Sequence, residues 1–221
     1  MFILLVSIIY LSFISLGLPD SVLGSAWPSM FVEFGVPISY VGIISAIVSV
    51  STIFSSFMSD RVTSRLGSSK TTCISIFLTA FALMGFSFST NFWMLCIIAI
   101  PFGLGAGSVD AALNNYVALH FSAKHMSWLH CMWGVGASIS PYVMSFALIR
   151  INSWSWGYLI VAIIQMALAS MIFISLPLWK KGVDAKENET PAASLGFSEI
   201  FKIRGAIPCF LAFSIGSSLK S

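Results

Sequence analysis

Six apolar runs, each close to the length of a bilayer crossing, dominate the 221-residue sequence. They cover 2–31, 38–58, 71–89, 92–119, 128–150 and 156–178, and about 20 such residues carry a helix across the hydrocarbon core. Between them lie short polar breaks. Charged residues make up 9% of the chain and hydrophobic ones 57%, with a mean hydropathy of +0.94. Soluble domains carry about 25% charged residues, so a water-exposed surface cannot be assembled from this inventory. The pattern predicts an all-α polytopic membrane protein whose six-helix bundle spans 1–178 and sits in a lipid bilayer. Residues 179–204, WKKGVDAKENETPAASLGFSEIFKIR, change composition abruptly and read as a cytoplasmic linker. Residues 205–221 start a further apolar segment that is short of a full crossing, an incomplete seventh helix. That order is the halfway layout of a twelve-helix bundle.

The basic residues orient the bundle. Arg61, Arg65, Lys70, Lys124, Lys180, Lys181, Lys186, Lys202 and Arg204 fall on one side, and Arg150 alone on the other. Cytoplasmic loops carry the excess of Lys and Arg, so the amino terminus is expected in the cytoplasm. The net charge of +3 therefore reports topology and implies no nucleic-acid partner. No basic residue precedes the first apolar run, which reads as a retained helix and not as a cleaved signal peptide. Cys73, Cys96, Cys131 and Cys209 stand alone in separate segments, as small buried hydrophobes do. His120, His125 and His130 recur every five residues, turning each about 140° from the last on a helix, so they form no metal set. No metal site and no cofactor is expected.

The chemistry lies in two acids inside the apolar runs. In GLGAGSVDAALNNYV (Gly103–Val117), Gly103, Gly107, Asp110 and Asn114 share one helix face, with Asn115 beside it. An Asp near mid-membrane costs roughly 3 kcal/mol by insertion scales, so it should face a cavity or another helix. In GLPDSVLGSAWP (Gly17–Pro28), Gly17, Asp20, Gly24 and Trp27 fall on one face. The second helix carries a small-residue stripe, Gly42, Ser45, Ser49, Thr52 and Ser56, that reads as packing. In the fifth, His130, Gly134, Ala137 and Pro141 form another small-residue strip with a proline able to bend it. Between the second and third helices, SDRVTSRLGSSK places Asp60 and Arg61 at a helix end, followed by Arg65 and Gly67.

Three of these stretches resemble the major facilitator superfamily, in its fucose-permease-like branch. Ser55–Lys70 resembles that superfamily's loop motif, with Ser56 where a glycine is expected and the later glycine displaced to Gly67. Gly103–Ala118 resembles the branch's fourth-helix pattern and Gly17–Pro28 its first. The resemblance covers residues 1–219 as an ordered series of helices, the first half of the usual fold. It implies secondary active transport by alternating access, with proton-coupled uptake of a sugar or similar small polar solute across a bacterial cytoplasmic membrane. Asp110 would match a fourth-helix acid (Glu in the fucose permease itself) and Asp20 a first-helix acid, both serving proton coupling and sugar recognition. Asn114, Asn115, Trp27, Trp133 and His130 would line the cavity, and Asp60 and Arg61, with Arg65 and Gly67, would form an inner gate. A protonated Asp costs less than an ionised one in a dry, occluded state, which links proton occupancy to conformation. A missing carboxy-terminal half, or a second copy, would complete the cavity. The alternatives are a truncated, non-transporting remnant and an intramembrane protease. The latter requires paired YD and GxGD motifs or GxSG, none of which the sequence supplies, so no enzyme is expected.

Overall fold

A computed structural model describes residues 2–183, with side chains over 5–176. The linker beyond Val183 and the incomplete seventh helix lie outside the described residues, as do Lys186, Lys202, Arg204 and Cys209. Among the described residues all regular structure is helical. Seven α-helices make six membrane-length spans: α1 (Phe2–Gly17) and α2 (Val22–Glu33) together, then α3 (Val41–Leu66), α4 (Ser68–Ser87), α5 (Phe92–His120), α6 (Ala123–Phe146) and α7 (Trp154–Val183). A 3-10 turn at Ile38–Tyr40 leads into α3, and a π turn at Ala147–Ile151 extends α6.

The first span is broken, where a continuous helix was expected. Pro19 has no N–H to donate, and residues 18–21 form turns closed by Asp20 N–H to Gly17 O and Val22 N–H to Pro19 O, both 3.3 Å. With Val22 bonded to Pro19, the Leu18 carbonyl has no helical donor. The Ser140 hydroxyl of α6 donates to it. Bilayer interiors tolerate non-helical backbone only where protein buries it or a cavity wets it, and Ser140 supplies that satisfaction from inside the bundle. Gly17, Asp20, Gly24 and Trp27 consequently do not share a face.

Close backbone approach holds the remaining helices. A Cβ at Gly103 would stand 2.5 Å from the Val48 carbonyl oxygen, and one at Gly107 would collide with that of Thr52. Into the same α3–α5 seam, Thr52 donates to Gly103 O (3.2 Å) and Ser56 to Gly107 O (3.4 Å), while Ser55 meets both Leu104 O and Ser108. Gly17 packs on the Trp133 carbonyl and Gly136 on that of Ile14, joining α1 to α6. Two apolar clusters form the core. One surrounds Trp27, Phe92, Trp154 and Tyr158; the other surrounds Phe13, Leu113, Tyr116 and Leu129. At the first end the Trp154 indole donates to Glu33 (2.5 Å), tying the first span to the sixth.

Several sequence expectations shift by a fraction of a turn. The packed stripe of α3 is Ser51, Ser55 and Ser59, all buried, whereas Gly42, Ser45 and Ser49 are exposed. Of the glycines expected to pack, Gly24 and Gly134 face open space, while Gly17 meets α6; Gly136 packs where Gly134 was expected to. Helix α3 runs through Asp60, Arg61 and Arg65 to Leu66, and Gly67 (φ +80°) alone makes the turn into α4. That left-handed backbone suits glycine. Cys73 and Cys96 are buried, but Cys131 is exposed. Helix α7 continues past 178 to Val183.

The seam makes a paired prediction. Gly107→Ala forces α3 and α5 apart and should lower thermal stability in detergent by about 1–3 kcal/mol. Gly134→Ala meets no atom and should be neutral or raise stability by up to about 1 kcal/mol through helix propensity. Equal melting losses in the two variants would contradict this packing.

Candidate functional site

The break in the first span opens onto a cavity of about 350 Å³ walled by α1, α3, α5 and α6. Asp20 enters it from the unwound turn, Asp110 from α5, His130 and Trp133 from α6, and Thr52 from α3. Apolar side chains including Phe13, Val48 and Phe102 complete the lining. The two acids, carried by different spans, meet in one space.

Each acid has a hydrogen-bond donor. The Trp133 indole N–H donates to Asp20 Oδ2 at 2.8 Å, and the Asn114 amide to Asp110 Oδ1 at 2.9 Å, one helical turn along α5. His130 sits close enough to Asp110 to interact electrostatically, and its ring meets the edge of Phe13 at 6.0 Å. Asn114 Oδ1 is buried without a partner among the described residues. Trp133 is 40% exposed, leaving ring surface available to the cavity. The whole arrangement comprises two carboxylates, an imidazole, a hydroxyl and an aromatic face in largely apolar walls. It can accept hydrogen bonds from hydroxyl groups, offer an aromatic face for stacking, and take up or release protons.

Other candidate residues lie elsewhere. Trp27 is buried in the core, where its indole donates to Ile38 O at 2.7 Å and its ring packs against Phe92. Its distance from the cavity follows from the helix break, which rotates α2 relative to α1. Asn115 is exposed on α5 and does not line the cavity. Gly103 and Gly107 share Asp110's helix but serve the α3 contact, so the face is part seam and part cavity wall. Asp60, Arg61 and Arg65 are exposed at the end of α3, far along the helix from Thr52. Pro141 lies within α6, one residue beyond the Ser140 that caps the break.

Sequence reasoning missed Ser140 and Phe102 entirely and read Thr52 as packing. Pro19 signals the break, since it has no N–H for the Ser15 carbonyl one turn back, but which side chain reaches the Leu18 carbonyl is set by the fold. Three rungs now link α1 to α6 in parallel register: Tyr10 hydroxyl to His125 Nδ1 at 2.8 Å, Phe13 to His130, and Asp20 to Trp133. Histidines that point in different directions on their own helix are thus sorted by the neighbouring helix. Among the described residues no group of three or more metal-ligating side chains forms.

Trp133→Phe keeps the ring and removes the donor to Asp20. In infrared spectra taken across an acid titration, the carboxyl band that vanishes in Asp20→Asn should change frequency in Trp133→Phe, while the band lost in Asp110→Asn stays in place. An unmoved Asp20 band would contradict the pairing.

Comparison with known proteins gives one family: a model described as Major Facilitator Superfamily matches residues 9–219. No curated protein matches the sequence.

Proposed function

The chain belongs to the Major Facilitator Superfamily of secondary transporters, and on that premise we propose that its cavity carries a sugar or similar small polar solute in symport with protons. The observation that carries this reading is the meeting of Asp20 and Asp110, from different spans, in one cavity beside a broken helix. Each acid can be neutralised by a proton within the membrane. A neutral carboxyl is cheaper to enclose than a charged one, so proton occupancy biases the bundle toward its occluded conformations. Solute hydroxyls would bond to Asp20, Asp110 and Asn114, with the Trp133 ring against the apolar face of the solute and His130 modulating Asp110.

The basic residues support a cytoplasmic amino terminus, with Arg61, Arg65, Lys70 and Lys124 facing the cytoplasm and Arg150 opposite. In that orientation Asp60 and Arg61 end α3 at the cytoplasmic face and belong to the inner gate, with Arg65 and the Gly67 turn. Their exposure leaves them open to a partner surface.

A second helical body completes the reading. The spans at Ile38–Leu66 and Ala123–Ile151 are 17% and 22% buried over their apolar windows, against 61% for the first span and 50% for the fourth. Their exposed residues include Ser45, Ser49, Ser138, His130 and Trp133. Polar groups inside a membrane face protein or water in preference to lipid. A carboxy-terminal six-helix half, or a second copy of this chain, would cover them and close the solute path.

Proteoliposomes carrying the completed assembly and an imposed proton gradient test the role of Asp110. Asp110→Asn is nearly isosteric but cannot cycle a proton, so gradient-driven uptake should fall to background while solute exchange without a gradient persists. Full gradient-driven uptake in the variant would sink the proposal.

A further inference from the structure

Behind the acid-lined cavity lies a second chamber of about 20 Å³, bounded by Pro19, Ile44, Phe86 and Tyr158. Val48 and Phe102 line both spaces and form the partition between them. The unwound segment of the first span also serves both: Pro19 walls the chamber, and the next residue, Asp20, lines the cavity. Tyr158 of α7 is 2% exposed, its ring held by Phe86 at 5.5 Å and Trp154 at 6.1 Å between centroids. Tyr158 lines the chamber, and its hydroxyl, which makes no hydrogen bond among the described residues, is not one of the fully enclosed unpaired polar atoms and so keeps accessible surface. Phenylalanine would fill the same core, so the hydroxyl is the part of Tyr158 that packing does not require.

The chamber is large enough for one water-sized group. Its remaining walls are aliphatic and aromatic, and the Pro19 carbonyl already accepts from Val22 N–H. A free water needs two to four polar partners to be held well, and this chamber offers it one hydroxyl. A hydroxyl that arrives attached to a larger molecule needs no further partners, because the rest of that molecule is bound elsewhere. We propose that the chamber is a specificity pocket of the solute site, in which the Tyr158 hydroxyl hydrogen-bonds a terminal hydroxyl of a solute whose body lies between Asp20 and Asp110. Entry requires the Phe102 ring, stacked edge-on against Phe86 at 5.8 Å, to turn aside. The inference rests on the reading of the cavity as a solute site.

Equilibrium binding to the purified full chain in lipid nanodiscs tests it, with D-glucose, D-galactose and D-mannose and their monodeoxy analogues as probes. Tyr158→Phe should weaken binding of a bound hexose about tenfold, the worth of one buried hydrogen bond. One deoxy analogue, lacking the hydroxyl that enters the chamber, should bind Tyr158→Phe and the unaltered protein equally. If Tyr158→Phe binds every probe as the unaltered protein does while Asp110→Ala loses binding, the pocket is refuted and the solute site stands. If the unaltered protein binds no hexose, or Asp110→Ala, which removes the hydrogen-bonding group, binds them all undiminished, the sugar reading fails and the pocket with it.

Discussion

Peptide groups inside a bilayer must be satisfied by the protein, and the site described above depends on how this constraint is met at one carbonyl. The turn at Pro19 interrupts the first span and draws Val22 N–H to the Pro19 oxygen, leaving the Leu18 oxygen without a helical donor; Ser140, from a helix distant in sequence, donates to it. Replacing intrahelical bonds by this cross-helix bond lets Asp20 project from an unwound turn and not from a regular helix. The same contact fixes the α1–α6 pair, whose close approach at Gly17 and Gly136 brings Trp133 within hydrogen-bonding distance of Asp20. Site and scaffold are therefore one feature.

The second wall of the site obeys different physics. Association of helices in lipid gains little from the hydrophobic effect and relies on close backbone packing and cross-helix hydrogen bonds. Gly103 and Gly107 admit α3, and Thr52, Ser55 and Ser56 bond to carbonyls that their small size exposes. Asp110 lies just past the last of these glycines, where the seam gives way to the cavity.

The class of fold was legible in the sequence because the spacing of charge in apolar sequence is a one-dimensional signal. The acids were legible for the same reason, since Asp20 and Asp110 are anomalous wherever their helices point. Rotational phase was harder to read. Gly24 and Trp27 were assigned to Asp20's face by counting through residues that are not helical, and the α3 stripe was placed on Gly42, Ser45 and Ser49 because hydroxyls and glycines occur on two adjacent faces of that helix. Only the partner decides which face packs. Thr52 lies on both the expected stripe and the observed seam, which is why it looked structural while also lining the cavity. Ser140 and Phe102 carry no signal of their own; their meaning comes from residues more than thirty positions away.

The central claim is that Asp20 and Asp110 share one solvent-accessible space. Thiol chemistry tests this most directly, using Asp20→Cys and Asp110→Cys, each made with the exposed Cys131 replaced by serine. Both cysteines should react with a small hydrophilic methanethiosulfonate added to membranes from the same side, and a bulky adduct already in place at one should slow reaction at the other when both are present. Reaction from opposite sides, or complete independence of the two, would contradict the shared cavity.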